Sequence, residues 1–194
     1  MKIFIAMQIA IATMGTSSEL PDKNVTVIKG IEQETAEEHS DFVEKPYEAP
    51  VIDGTNVALN ADASVTGFND VYNANNLNDG DRLTYWEGKP DADENSVVIE
   101  FDDSYNIHTI LLGLNPAAIW QPRVQTISFS LSDDGENFTE FIPLTEYGFD
   151  PKTGNEIVIR DLEGKGKFIK ITITANTGAV AGQIAEFEVY TNDK

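Results

Sequence analysis

Cysteine is missing from all 194 residues. That excludes disulfides, thiolate nucleophiles and cysteine zinc sites together. Histidine is scarce, with only His39 and His108, so a Ser-His-Asp triad or a histidine-rich metal site has almost nothing to draw on. Positive charge is thin as well: 13 Lys and Arg stand against 33 Asp and Glu, a net charge of −20. Such a surface repels phosphate backbones and anionic headgroups, which argues against nucleic acid as a partner. The same field attracts cations, calcium among them, although solubility is the plainer account of much of the charge. No apolar run is long enough for a transmembrane helix: the run Ile3–Ala12 falls well short of the roughly 20 residues required. No glycine-rich phosphate loop is present, and Gly164-Lys165-Gly166-Lys167 reads as a connection between strands. With 33 acids, chance carboxylate pairs are unavoidable, so they carry no specificity for glycoside hydrolysis. An enzyme is not expected.

The apolar share of 41% supports one good domain with an appendage. Residues 1–30 form an N-terminal extension that reads in two ways. Lys2, the apolar run after it and the small residues before Thr16 suit a secretory signal peptide. Equally, Ile3, Ile5, Met7, Ile9 and Ile11 alternate with Phe4, Ala6, Gln8 and Ala10, which suits a β-strand arm that anchors to a protein partner or a second copy. Residues 31–54 read as a linker: seven acids between Ile31 and Pro50, with Pro46 and Pro50, favour an extended chain.

Residues 55–191 have an all-β texture. Expected strands are Val57–Leu59, Val97–Phe101, His108–Leu114, Val124–Leu131, Phe138–Leu144, Glu156–Leu162, Phe168–Thr174 and Ala185–Tyr190. In several of them the apolar residues recur every second position, as Ile127, Phe129 and Leu131 do against Thr126, Ser128 and Ser130. Eight such strands predict an antiparallel jelly-roll β-sandwich. Ser132-Asp133-Asp134-Gly135 supplies a hairpin turn. His108 reads as a half-exposed strand residue.

The stretch Asn76-Leu77-Asn78-Asp79-Gly80-Asp81-Arg82-Leu83-Thr84-Tyr85-Trp86-Glu87 crowds oxygen donors into one turn. Gly80 lets the backbone bend, and a hard cation such as Ca²⁺ takes six to eight oxygens. The stretch is not an EF-hand loop, since Leu77 falls where that pattern needs Asp or Asn. The residues alone fit an Asx-rich turn without metal equally well.

Four ordered segments add to this: Asn56-Val57-Ala58-Leu59-Asn60, then Asn78-Asp79-Gly80-Asp81 with Thr84-Tyr85-Trp86-Glu87, then Ser132-Asp133-Asp134-Gly135-Glu136-Asn137-Phe138, then Ala185-Glu186-Phe187-Glu188-Val189-Tyr190. Together they resemble the discoidin (coagulation factor V/VIII C-type) superfamily, and most of all carbohydrate-binding module family 32. The resemblance implies a discoidin-like sandwich that binds glycans without catalysis. It implies a structural calcium held by Asn76, Asp79, Asp81, Thr84, Ala185 and Glu186. Such a clip joins segments about a hundred residues apart, where loop closure is most costly.

A sugar site needs a flat aromatic with polar groups beside it. Trp120 is the leading candidate, in the loop Asn115–Arg123 between two prolines, with Gln121 and Arg123 as hydrogen-bonding neighbours. The alternative for Trp120 is a lid on the end of the sandwich. Tyr72 is a second candidate platform, and Glu87 a further contact. Trp86 is expected in the core. Sugar-binding relatives that share Ala175-Asn176-Thr177-Gly178 commonly have Trp next, whereas here Ala179 follows, so one stacking surface is absent.

The expected function is therefore an extracellular carbohydrate-binding, adhesive module, secreted or cell-surface. The alternative is an assembly protein, such as a virion decoration or head-fibre protein, anchored by residues 1–30 and displaying the sandwich outward.

Overall fold

A computed structural model describes residues 47–90 and 92–193. The arm and most of the linker expected from the sequence lie outside the described residues. Among the described residues there are ten strands: β1 (Thr55–Asn56), β2 (Asp62–Val65), β3 (Trp86–Glu87), β4 (Asn95–Gly113), β5 (Arg123–Ser132), β6 (Thr139–Phe149), β7 (Glu156–Ile159), β8 (Gly164–Asn176), β9 (Gln183–Ile184) and β10 (Glu186–Thr191). All pairings are antiparallel. No helix among the described residues is long and apolar enough to cross a membrane.

The long strand β4 builds both layers. Its first half pairs with β2 on one side and β8 on the other. Its second half pairs with β10 and β7. Between them the register breaks from Glu100 to Tyr105, a bulge that bends the strand from one sheet into the next. One layer runs β2-β4-β8-β5-β6 and the other β1-β10-β4-β7. The layers meet where Phe129 of β5 stacks on Phe187 of β10, centroids 6.1 Å apart. The alternating residues read from sequence fill this interface: Ile127, Phe129, Ile169, Ile171 and Val189 are all fully buried. β6 ends its layer and carries Pro143, as an edge strand can.

Several boundaries differ from expectation. Val97–Phe101 and His108–Leu114 are one strand, because the bulge bends the chain without ending it. Gly164–Lys167 is the start of β8 rather than a connection, with Gly164 and Gly166 paired to Ile107 and Tyr105. Val57–Leu59 follows the strand it was expected to form; β1 is Thr55–Asn56, extended only by the Val57 N–H to the Val189 carbonyl at 2.8 Å. The turn at Ser132–Gly135 joins β5 to β6 as expected, closed by Ser132 Oγ accepting from the amides of Asp134 and Gly135.

The short ribbon of β3 and β9 positions the site. Its register sets Trp86 against Ile184 and Glu87 against Gln183. It continues at one end through the Gly88 N–H to the Gly182 carbonyl. At the other end Thr84 and Tyr85 come beside Ala185 and Glu186. Trp86 is fully buried, as expected for a core residue, and its indole N–H reaches the Gly67 carbonyl at 3.1 Å.

Candidate functional site

At one end of the ribbon lies the acidic turn. Asn73 caps a single 3-10 turn, Ala74–Asn76, by accepting from the Asn75 amide. Asn76 Nδ2 then donates to the Tyr85 carbonyl at 3.0 Å, closing the loop across nine residues. Inside it, Thr84 Oγ1 donates to Asp79 Oδ2 at 2.8 Å and to the Asp81 carbonyl at 2.9 Å. Asp79 Oδ1 accepts from the Asp81 amide. Glu186 enters from β10, and its Oε2 accepts from the Gly80 amide at 3.0 Å. Five expected calcium residues are thus drawn together by contacts across the turn, and Ala185, fully buried, adjoins Glu186.

Glu186 is 1% exposed, and its Oε1 has no hydrogen-bond partner. Burial pushes this carboxyl up to about 8, opposed by the Gly80 amide and reinforced by Glu188 and Asp79. Among the described residues no three acidic or imidazole side chains converge as a metal site. The turn brings two carboxylates, Asp79 and Glu186, and carbonyl and hydroxyl oxygens make up the remainder of the expected set, which suits calcium rather than a transition metal.

Tyr85, whose carbonyl Asn76 holds, carries an aromatic platform. Tyr72 and Tyr85 stack at 4.3 Å, and the Trp120 indole meets Tyr85 edge-on at 4.7 Å. Arg123 lies over the Trp120 ring at 4.8 Å, a cation–π contact of about 0.5–2 kcal/mol. Gly178 lets the neighbouring loop close over this guanidinium, since a Cβ there would sit 2.7 Å from Arg123 Nε. Burial first, then the Tyr72 hydroxyl, holds the Tyr85 phenol well above its usual range. Trp120 is half-buried against the core and pairs with Tyr85 and Arg123.

Beneath the platform runs a buried polar chain. Arg123 Nη1 donates to Gln183 Oε1 at 2.6 Å, and Gln183 Nε2 donates to Glu87 Oε2 at 2.6 Å. Glu87 Oε1 accepts from Asn69 at 2.7 Å. Glu87 is therefore not on the loop face where it was expected. Both its oxygens are engaged below the surface, where they compensate the buried arginine. Gln121 is exposed, but its amide donates to the Ala118 carbonyl of its own turn at 2.9 Å.

Tyr85 and Gln183 were not singled out from sequence. Alternation offered a signal for Tyr85: with Trp86 inward, Tyr85 and Glu87 must leave the ribbon on its other face. Gln183 had only its isolation as a large polar residue between Gly182 and Ile184.

Several large apolar side chains are exposed among the described residues. Ile119 is 83% exposed, Val180 75%, Leu83 69%, Val71 64% and Phe68 50%. Ile119, Val71 and Phe68 adjoin Trp120, Tyr72 and Asn69 in sequence. Two grooves, about 400 Å³ beside His108 and about 540 Å³ beside Tyr105, lie elsewhere and are lined by none of the expected site residues.

A family model described as F5/8 type C domain matches residues 60–187. The chain belongs to this family. Solved structures share the fold of this F5/8 type C domain. A pectin-binding carbohydrate-binding module aligns with a TM-score of 0.56 at 20% identity, covering 73% of this chain and 94% of its own. A family 32 module from Clostridium perfringens, in complex with GalNAc-β-1,3-galactose, aligns with a TM-score of 0.58 at 20% identity, covering 71% and 100%. A third, in complex with 4,5-unsaturated mannuronic acid, aligns with a TM-score of 0.54 at 16% identity, covering 68% and 96%. No curated protein matches the chain.

Proposed function

We propose that this F5/8 type C domain is a non-catalytic, extracellular glycan-binding module whose contact surface is the Tyr72–Tyr85–Trp120 platform with Arg123. The carrying observation is the edge-on pairing of Trp120 with Tyr85, at 4.7 Å, with the exposed Ile119 and Val71 adjoining Trp120 and Tyr72 in sequence. Rigid aromatic faces suit the C–H surfaces of a pyranose, and exposed apolar patches mark contact sites. The three solved relatives, each named for a carbohydrate it binds, support the ligand class.

The same reading includes a structural calcium. Asn76, Asp79, Asp81, Thr84, Ala185 and Glu186 would hold it, and the unpartnered, buried Glu186 Oε1 is the observation that fits. Bound there, the ion supplies positive charge between two carboxylates that otherwise repel. The protein's own part is to hold Asp79, Asp81 and Thr84 in one turn and to bring Glu186 against it from β10.

The test is a panel of neutral, amino and uronic oligosaccharides titrated calorimetrically against the full chain in calcium, beside Trp120→Ala. Binding by the wild type and its loss in the folded variant is the expected outcome. A wild type that binds none of them, or a variant that binds equally well, would overturn the reading.

A further inference from the structure

The Gln183 side chain joins three side chains near the platform. Its side chain accepts from Arg123 Nη1 at 2.6 Å and from Asn176 Nδ2 at 3.4 Å, and donates to Glu87 Oε2 at 2.6 Å. Its main chain is gripped as well: the Gln183 amide donates to Gln125 Oε1 and its carbonyl accepts from Gln125 Nε2, both at 2.9 Å. Gln125 thus acts as a side-chain strand partner and fixes the backbone from which the Gln183 amide projects. The residue is 6% exposed, where an unmade hydrogen bond is costly.

The position of Gln183 in the ribbon gives this network a second meaning. β9 begins at Gln183 and leads in two residues to Ala185 and Glu186. β3 ends at Glu87 and is preceded by Thr84 and Tyr85. Both strands of the ribbon therefore run from the acidic turn to the polar chain under Arg123. Two further contacts tie the same ends. The Leu83 carbonyl accepts from Asn115 Nδ2 at 3.1 Å, at the root of the Trp120 loop. Tyr85, held by Asn76, touches Trp120 directly.

We propose that Gln183 is the positioning residue that couples the acidic turn to the platform, so that a divalent cation clipping Glu186 to the turn sets the register of the ribbon and thereby the placement of Arg123 against Trp120. This rests on the calcium part of the reading above. Any ligand that uses Arg123 and Trp120 then binds more tightly in calcium, and by linkage tightens calcium in return. Gln183 touches neither ion nor ligand; it acts by holding Arg123 and Glu87 at fixed separation.

The test needs calcium alone as probe. Calcium is titrated into the full isotope-labelled chain, while calorimetry reads the ion and NMR reads the Trp120 indole N–H and the Arg123 Nε–H. Both signals are expected to shift in step with calcium occupancy. Gln183→Met keeps the volume but removes the amide; it is expected to bind calcium within about threefold of wild type while the Arg123 signal loses its response. The double variant Gln183→Glu with Glu87→Gln swaps donor and acceptor, leaves every hydrogen bond of the chain satisfiable, and is expected to restore the response. An Arg123 signal that ignores bound calcium in the wild type, or follows it equally in Gln183→Met, overturns the coupling with the calcium reading intact. A chain to which calorimetry shows no calcium binding overturns both. If Gln183→Met does not fold, the swapped pair decides: it must respond as wild type does.

Discussion

Arg82 lies directly over Gly113. A Cβ at that glycine would come 2.9 Å from Arg82 Nε, and the bare backbone is what lets the guanidinium settle on β4. From there Nη1 pairs with Glu156 at 2.6 Å, while Nη2 donates to the carbonyls of Leu114, Gly154 and Asn155. The side chain thus pins the acidic turn to β4 and to the start of β7. Gly113→Ala is expected to displace it and to lower stability by about 2 kcal/mol, the usual scale for forcing extra volume into a packed site. Arg82→Met should cost at least as much, since it strands the half-buried Glu156. Urea unfolding of both variants checks this. A Gly113→Ala protein as stable as wild type would mean the guanidinium is not held.

The two tryptophans should separate cleanly. Trp86 is fully buried between the ribbon and the sheets, and its N–H is matched by the Gly67 carbonyl. Trp86→Phe leaves a void and an unpaired carbonyl, and about 1–3 kcal/mol of destabilisation is expected. Oligosaccharide affinity at a temperature where the variant remains folded should be nearly unchanged. Trp120→Ala should do the reverse: little loss in thermal unfolding and at least tenfold weaker binding. Melting and calorimetry on the pair measure both quantities.

The large features of the fold were legible because they obey a simple period. Ile127, Phe129 and Leu131, or Ile169, Ile171 and Ile173, announce their strands by alternation, and the alternation survives folding. β3 and β9 are two residues each, too short to have a period, and they are the elements on which the site is built. The turn around Gly80 was readable because oxygen donors close in sequence remain close in space. The network of Glu87, Gln183, Arg123 and Asn69 was not, because its members are up to 114 residues apart and meet only through strand register. Glu87 shows the limit well: beside Trp86 it reads as outward, and outward from the ribbon proves to be underneath the loops.

Glu186 is expected to give stability a pH dependence, and on the proposed calcium reading its sign would change with the ion. Burial raises its folded pKa to about 8, above its ordinary value of 4.5. A raised carboxyl pKa means that the folded chain holds the proton that the unfolded chain releases. Without calcium, the contribution is complete below about pH 4.5 and is lost as pH rises toward about 8. Under the proposed calcium reading the ion would compete for the same oxygens, so its binding would strengthen over that window and expel a proton. Melts in chelator should fall from pH 5 to 8, whereas melts in millimolar calcium should hold or rise. The Glu186→Gln variant should flatten the chelator profile and abolish the calcium response. A chelated wild type whose melting is flat across this range would remove Glu186 from the account.

Arg123 offers the sharpest separation of charge from shape. It is 8% exposed, spans the Trp120 ring and Gln183, and lies against Gly178. Burial lowers its pKa, with Glu87 opposing, yet a guanidinium remains a cation throughout the accessible range. Arg123→Lys keeps the charge but loses the planar fork that lies over the indole while donating in a second direction. If the platform depended on charge alone, the lysine variant would bind sugars as wild type does. The geometry predicts otherwise. The lysine amine has to choose between Gln183 and the indole face, Trp120 loses its backing, and affinity should fall about tenfold, or about 1.4 kcal/mol. The calcium affinity should stay within about threefold of wild type, because the acidic turn holds its own contacts through Asp79, Thr84 and Glu186 and the reciprocal coupling is modest. Calorimetry with the tightest-binding oligosaccharide, run in saturating calcium on wild type, Arg123→Lys and Arg123→Met, reads the result. Loss in both variants supports a shaped platform, and loss in methionine alone supports a bare charge.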